Sequence, residues 1–165
     1  MKIIENWLSK QLAEEVRNYV LFSPYRYVST SFYGGDLRLK KPKGVNTFFE
    51  CGFNLKTDKI IRGLCAYLGR CFDYDIKVIR VYANLQFNGM DGSWHYDDGE
   101  TTCLWMATPS LPKGSGTLQF NKKRKDIKFE FNKLIIFDAK RPHRGLAPKE
   151  LNTPRITLAF KTTRA

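Results

Sequence analysis

Apolar and polar residues follow a helical period in the first part of the chain. After Ser9, the expected N-cap, apolar side chains recur at helical spacing through Val16 and Val20. A second stripe of the same period consists of Ile60, Ile61, Leu64, Cys65 and Leu68. We therefore predict two helices, over about residues 12–22 and 58–72, which brace a sheet.

The pattern changes after Ile76, where short β-rich runs are separated by turn signals. The runs are IKVIRVYANLQF, GSWHY, TTCLWMAT, GTLQF, DIKFEF, KLIIFDA, HRGLAP and RITLAFKTT. Strands at this spacing are typical of a sandwich or barrel, and a double-sheet jelly roll is the leading candidate. We predict a mainly β (α+β) fold with a single domain over residues 1–165. Residues 1–75 would form a helical and loop support region, and residues 76–165 the jelly-roll core.

Strand parity predicts which side chains of two of these runs face a pocket. In the first run, Tyr82, Asn84 and Gln86 share one face, and this polar face should line the pocket. In the last run, Arg155 and Thr157 project opposite an apolar face. A buried arginine needs an anionic partner, and its own strand offers no acid. We therefore expect a bound carboxylate, which a guanidinium can grip with two hydrogen bonds.

Composition excludes several classes of protein. Hydrophobic residues make up 42% of the chain, which argues against disorder, and no apolar run is long enough for a membrane span. The N-terminal MKIIENWLSKQLAEE carries acids where a signal peptide would be apolar, and the four cysteines form no CxxC pair. These features predict a cytoplasmic protein with reduced thiols and no membrane partner.

The basic charge of the chain has two interpretations. A net charge of +12 can attract an acidic partner, nucleic acid included, or it can serve solubility alone. Residues 34–45 combine a Gly-Gly turn with a basic run, and the sequence leaves open a hairpin, a mobile lid or a solvated loop. The basic cluster at residues 122–125 is expected in a hairpin loop, where a solvated turn is the default interpretation.

The two histidines of the chain carry the clearest chemical signal. His95 and Asp97 are two residues apart and project the same way from a strand, and His143 follows an apolar run and the break Arg141-Pro142. Two imidazoles and one carboxylate can take one face of an Fe(II) octahedron and leave positions for a co-substrate and O2. The alternative is a pair of ordinary polar histidines and a surface aspartate.

The pattern His95-X-Asp97, His143 and Arg155-Ile156-Thr157 resembles the Fe(II)/2-oxoglutarate-dependent oxygenases. The most similar branch is the prolyl 4-hydroxylase-like one, which includes small versions carried by phages and bacteria. The resemblance covers about residues 76–163, and residues 87–97 match the glycine-containing approach to the first ligand of that branch. It implies a double-stranded β-helix, another name for the jelly-roll core, in which His95, Asp97 and His143 hold Fe(II).

The resemblance also implies roles for residues around the metal. Arg155 would bind the distal carboxylate of 2-oxoglutarate, with Thr157 as a helper. Tyr82 and Asn84 are candidates for further hydrogen bonds to this co-substrate. Asp98, beside the ligand Asp97, is either a residue that orients that ligand or a surface acid.

The function implied is that of a dioxygenase, which hydroxylates a C–H bond and releases succinate and CO2. The leading substrate is a prolyl side chain of a protein or peptide, reached in the cytoplasm, or in the host cytoplasm if the chain is phage-encoded. A nucleic-acid oxygenase or demethylase of the alkylation-repair type is one alternative. It is weakened because that group carries an arginine six positions after the first, where this chain has Lys161. A catalytically silent jelly-roll binding module is the other alternative.

Overall fold

The computed structural model describes residues 1–28, 48–120 and 126–165. In chain order the elements are β1 (Lys2–Ile4), α1 (Lys10–Leu21), β2 (Arg26–Val28), β3 (Phe48–Gly52), α2 (Lys59–Gly69), β4 (Ile76–Gln86), β5 (Thr101–Met106), β6 (Leu118–Phe120), β7 (Leu134–Asp138), β8 (His143–Gly145) and β9 (Arg155–Arg164). The possible lid at residues 34–45 and the basic cluster at residues 122–125 lie outside the described residues.

Among the described residues, two antiparallel sheets form the framework. The larger has seven strands in the order β1-β7-β5-β9-β4-β3-β2, and the smaller pairs β6 with β8. The long strand β9 lies between β4 and β5, with Gln86 opposite Arg155 and Thr102 opposite Lys161. This register matters for function because it brings polar side chains from three strands onto one face of the sheet.

Both predicted helices are present: α1 follows the predicted N-cap Ser9 and begins at Lys10, two residues before the predicted start, and α2 begins at Lys59. The Ser9 hydroxyl accepts a hydrogen bond from the Leu12 amide at 3.4 Å, and the Asp58 carboxylate accepts one from the Ile61 amide at 3.0 Å. Each side chain thereby satisfies an amide that has no partner within its own helix. The helices end at Leu21 and Gly69, the second of them three residues earlier than expected.

The two faces of the large sheet have separate apolar cores. On the outer face, the helices contribute Ala13, Val16, Val20, Ile61, Leu64 and Leu68, which pack against sheet residues such as Ala83, Trp105 and Leu158. On the inner face, Leu104, Met106, Ile135 and Phe137 pack against Leu118 and Phe120 of the small sheet. Sheet therefore packs on sheet, with helices outside, and the predicted jelly-roll core braced by N-terminal helices is confirmed.

Local pattern was less informative about some strands. Strands β1, β2 and β3 were not predicted from the sequence, and the first of them pairs with β7 from the far end of the chain. Two predicted strands were wrong, because GSWHY and DIKFEF contribute only isolated bridges, at His95 and at Ile127. Short strands depend on partners that lie far away in sequence, so alternation alone does not identify them. Within the described residues, no helix is long and apolar enough to cross a membrane.

Candidate metal centre

A cavity opens between the inner face of the large sheet and the small sheet. The empty space within it is about 780 Å³ when the open solvent at its mouth is included. The strands β4 and β9 line it with alternate residues: Arg80, Tyr82, Asn84 and Gln86 from one, and Arg155, Thr157, Ala159 and Lys161 from the other. Strand parity thus places on one wall the polar residues that the sequence pattern had grouped together.

The backbone places the two histidines side by side. The His95 amide donates to the His143 carbonyl at 3.0 Å, and the His143 amide donates back to the His95 carbonyl at 2.9 Å. This bridge joins the loop before β5 to the first residue of β8, and it holds the two imidazole rings 4.4 Å apart. Asp97 is anchored next to them, since its amide donates to the Ala139 carbonyl at 2.8 Å.

Backbone carbonyls also orient both imidazole rings. Nδ1 of His95 lies 2.8 Å from the Ser93 carbonyl oxygen, and Nδ1 of His143 lies 2.9 Å from the Arg141 carbonyl oxygen. A carbonyl oxygen can only accept, so Nδ1 carries the proton in each ring. In the neutral imidazole, Nε2 then presents a lone pair, which is the arrangement found in metal-binding histidines.

The donor atoms of the three residues converge. Nε2 of His95 lies 3.6 Å from Oδ1 of Asp97, and Nε2 of His143 lies 3.3 Å from Oδ2. The three ligand atoms all lie within 4.8 Å of one another. Two imidazole nitrogens and one carboxylate oxygen at this separation fit a divalent transition metal of the facial-triad type.

The electrostatics of the site favour a cation. Burial and the neighbouring His143 ring lower the pKa of His95 to about 4, so the ring is neutral at physiological pH. Burial alone would raise the pKa of Asp97, but the neighbouring His143 and the charge of Lys161 outweigh it and lower that pKa. The site therefore offers a neutral imidazole and a negative charge in a largely buried position.

Asp97 is oriented by residues other than its sequence neighbour. The Thr102 hydroxyl donates to Oδ2 at 2.7 Å, and the buried ammonium of Lys161 forms an ion pair with the same oxygen. Asp98, the alternative suggested by sequence, instead pairs with Arg80 at 2.8 Å. Thr102 and Lys161 were missed because neither belongs to the pattern around the histidines, although Lys161 shares the strand parity of Arg155.

Arg155 is buried at the other end of the cavity, with 2% of its surface exposed. Its Nη1 donates to Oε1 of Gln86 at 2.6 Å, and its Nε donates to the Gly116 carbonyl at 2.8 Å. Nη2 has no hydrogen-bond partner, and no carboxylate lies within 4.0 Å of the guanidinium, among the residues that the structure describes. A Cβ at Gly145 would come within 3.0 Å of Nη2, so glycine leaves the space that the guanidinium occupies.

The remaining predicted site residues line the wall between these two ends. Thr157 is buried opposite Asn84, whose Oδ1 is also buried without a partner in the described part of the chain. Tyr82 lies nearer to Lys161, with the Lys161 ammonium 5.3 Å and the Arg80 guanidinium 4.7 Å from its ring centre. Gln86 had been placed on this face from sequence but not proposed as a site residue, and it is the side chain that contacts Arg155 directly.

Solved structures of several oxygenases share this fold. An oxidoreductase of the 2-oxoglutarate-Fe(II) oxygenase family from Burkholderia pseudomallei superimposes with a TM-score of 0.73 at 11% identity, over 99% of this chain and 84% of that one. The collagen prolyl hydroxylase of Paramecium bursaria Chlorella virus-1, solved with 2-oxoglutarate, gives 0.64 at 16%, over 99% and 94%. A Trichoplax adhaerens prolyl hydroxylase, solved with a peptide fragment of hypoxia-inducible factor, gives 0.69 at 16%, over 98% and 82%.

These similarities concern the fold, because all three identities are below one fifth. The sequence itself matches no protein-family model and no curated protein. The chain thus has the jelly-roll fold of the 2-oxoglutarate-Fe(II) oxygenases, with a His-Asp-His cluster inside it. Prolyl hydroxylases from a virus and from Trichoplax adhaerens are among the proteins that share this fold, and the resemblance stated from the sequence is confirmed at this level.

Proposed function

We propose that this chain is an Fe(II)- and 2-oxoglutarate-dependent dioxygenase that hydroxylates a C–H bond. The observation that carries the proposal is the pairing, in one cavity, of a convergent His-Asp-His cluster with a buried arginine that has no carboxylate partner among the described residues. A dicarboxylate that reaches from the metal to Arg155 satisfies both ends.

His95, Asp97 and His143 would hold the iron. When bound, Fe(II) supplies the activation of O2, which is coupled to conversion of 2-oxoglutarate to succinate and CO2. The side chains of this protein fix the metal, bind the co-substrate and exclude water. The Nδ1–H groups of both histidines stay on backbone carbonyls, which keeps each Nε2 directed at the metal.

Arg155 is the proposed anchor for the distal carboxylate of 2-oxoglutarate. Gln86 and the Gly116 carbonyl hold Nη1 and Nε, so Nη2 remains available to the ligand. Thr157 and Asn84 lie along the wall of the cavity and offer a hydroxyl and an amide to the co-substrate. The hydrophobic core beside them excludes bulk water, which strengthens each of these polar contacts.

The proposed substrate is a prolyl side chain of a protein or peptide. Support comes from neighbours of the same fold that are prolyl hydroxylases, one of which was solved with a peptide. We propose a cytoplasmic location on the basis of four free cysteines, and one domain over residues 1–165, since strands from both parts of the chain enter one sheet.

The test of this function is formation of succinate. Purified protein is incubated with Fe(II), O2 and 2-oxoglutarate, and succinate is measured by mass spectrometry with and without proline-containing peptides. We expect slow succinate formation alone, acceleration by a substrate peptide, and a +16 Da product at proline. His95→Ala should abolish both products, and wild-type protein that forms no succinate under any of these conditions would refute the proposal.

The same assay separates the alternatives. A +16 Da product or a demethylated base on oligonucleotides, but not on peptides, would identify a nucleic-acid oxygenase instead. In that case binding to oligonucleotides should weaken steeply with salt, because phosphate contacts release counterions. Binding of a ligand without any succinate would favour the catalytically silent binding module.

A further inference from the structure

Lys161 lies inside the same cavity as Arg155, although neither the sequence pattern nor the proposed chemistry assigns it a role. Only 1% of its surface is exposed, and its ammonium group contacts Asp97 and, at 3.3 Å, the Thr102 hydroxyl oxygen. Thr102 is its cross-strand partner on β5. Burying an ammonium group is costly unless it is paired, and the partner of Lys161 is one of the three residues of the His-Asp-His cluster. The question is therefore what this ion pair does for the cluster.

The two oxygens of the Asp97 carboxylate have different surroundings. Oδ2 receives the Lys161 ammonium and the Thr102 hydroxyl, the latter at 2.7 Å, and it also lies 3.3 Å from Nε2 of His143, which presents a lone pair and donates nothing to it. Oδ1 accepts no hydrogen bond from the described residues, and Nε2 of His95 lies 3.6 Å from it. Two donors therefore occupy the lone pairs of Oδ2, and the free lone pairs of the carboxylate are on Oδ1.

The backbone of Asp97 is also fixed by hydrogen bonds. Its amide donates to the Ala139 carbonyl at 2.8 Å, and its carbonyl accepts from the Lys140 ammonium at 3.1 Å. With both the backbone and Oδ2 fixed, rotation of the carboxylate would break the contacts to Lys161 and Thr102. The orientation of Oδ1 toward Nε2 of His95 is therefore set before any ligand binds.

We infer that Lys161 is a positioning residue which, together with Thr102, occupies Oδ2 so that Asp97 binds the metal through Oδ1 alone. The inference rests on the metal-binding part of the proposed function. A carboxylate that used both oxygens would take a fourth position of an octahedral ion, whereas one oxygen leaves three positions open. Lys161 also neutralises Asp97 in the metal-free protein, so the carboxylate can stay buried and oriented.

Another buried lysine provides a matched control. Lys133 is 6% exposed and forms ion pairs with Glu130 and, at 3.2 Å, with Glu5, outside the cavity. Replacing either lysine by methionine removes a buried ammonium and leaves carboxylates without it. Only Lys161 should change metal binding, because only Lys161 touches a residue of the His-Asp-His cluster.

The experiment is a titration of the full-length, metal-free protein with Mn(II) alone, in which electron paramagnetic resonance measures the free ion. Lys161→Met and Thr102→Val should each weaken Mn(II) binding about 10- to 100-fold, as is typical when the partner of a ligand is removed. Thr102→Ser, which keeps the hydroxyl, and Lys133→Met should stay within about threefold of wild type. The spectrum of bound Mn(II) should change in the first two variants only, which a general loss of stability would not produce.

Unchanged or tighter Mn(II) binding in Lys161→Met would overturn the inference, because the lysine would then be only a counter-charge. If Lys161→Met does not fold, Thr102→Val is the deciding variant, because it keeps the ion pair and removes one donor to Oδ2. Wild-type Mn(II) affinity and a wild-type spectrum in Thr102→Val would also overturn the inference. Wild-type protein that binds Mn(II) but forms no succinate with Fe(II) and 2-oxoglutarate contradicts the proposed function and leaves this test intact. Wild-type protein that binds no Mn(II) contradicts both.

Discussion

The two ends of the cavity each contain a buried cation, and the two cations have different partners. Arg155 and Lys161 lie on the same face of β9, six residues and therefore about 20 Å apart along the strand. Lys161 is paired with the carboxylate of Asp97. Arg155 is held by the neutral oxygens of Gln86 and Gly116 and has no carboxylate partner among the described residues.

The difference separates a cation that serves the protein from one that serves a ligand. A buried charge without a counter-ion costs several kcal/mol, and a folded chain retains that cost only where something else compensates for it. At the Lys161 end the chain supplies the anion itself. At the Arg155 end we propose that a bound dicarboxylate supplies the anion. The four predictions below test this difference between the two ends of the cavity.

The largest effect is expected from Asp97→Asn, which removes the anion at the Lys161 end. The ammonium of Lys161 then has no counter-ion, so the free energy of unfolding should fall by about 3–5 kcal/mol. Mn(II) binding should be lost in the same variant. Denaturant unfolding with chelator present measures the first effect and calorimetry the second. Stability within about 1 kcal/mol of wild type would show that the pair is not a buried ion pair in solution.

Arg155→Met should lower the affinity for the ligand without lowering the stability of the protein. The affinity for 2-oxoglutarate, measured with Mn(II) present, should fall by about 2–5 kcal/mol, because the distal carboxylate loses its partner. The stability of the ligand-free protein should stay equal or rise, since a buried cation without a carboxylate partner is removed. Pyruvate lacks the distal carboxylate and is the control ligand: its weak binding should not distinguish the variant from wild type. A marked loss of stability would show that Arg155 is structural.

Ligand-induced stabilisation provides a third comparison. With Mn(II) present, 2-oxoglutarate at about 100 times its Kd should stabilise the wild-type protein by about 2.7 kcal/mol, or about 5–11 °C in Tm. The same addition should not stabilise Arg155→Met. Thermal unfolding followed by circular dichroism measures both. Equal shifts in the two proteins would place the dicarboxylate somewhere other than the Arg155 end.

The smallest effect is expected from Gln86→Glu, which makes the Arg155 end resemble the Lys161 end. A carboxylate 2.6 Å from Nη1 would give the guanidinium an internal partner, so 2-oxoglutarate affinity should fall about tenfold, or about 1.4 kcal/mol. Mn(II) binding should be unchanged. Gln86→Met removes the hydrogen bonds of this side chain without adding a charge, so it should lower the 2-oxoglutarate affinity less than Gln86→Glu does. Equal 2-oxoglutarate affinities in wild type and Gln86→Glu would show that Arg155 does not bind the ligand.

Local chemistry explains which parts of the fold and site could be predicted from sequence. The first helix was found because Ser9 caps a run of helical period, and the second because its apolar residues recur at helical spacing. The pocket wall was found because parity groups Tyr82, Asn84 and Gln86 whatever the strand pairs with. By contrast, β1 is three residues long and is stabilised by pairing with β7. No residue near β1 in the sequence indicates that pairing.

The sequence by itself determined the ligand types and the faces of the strands that carry them. Two histidines and an aspartate indicated a metal site, and an arginine on the polar face of its strand indicated a carboxylate ligand. Both could be predicted because donor identity and strand parity are local properties. Only the tertiary structure decided that Lys161 pairs with Asp97 and that Arg155 is left with Gln86, which is 69 residues away along the chain. Partners of buried charges are chosen by sheet register and long-range packing, so the roles of two cations on one strand became distinct only in the folded protein.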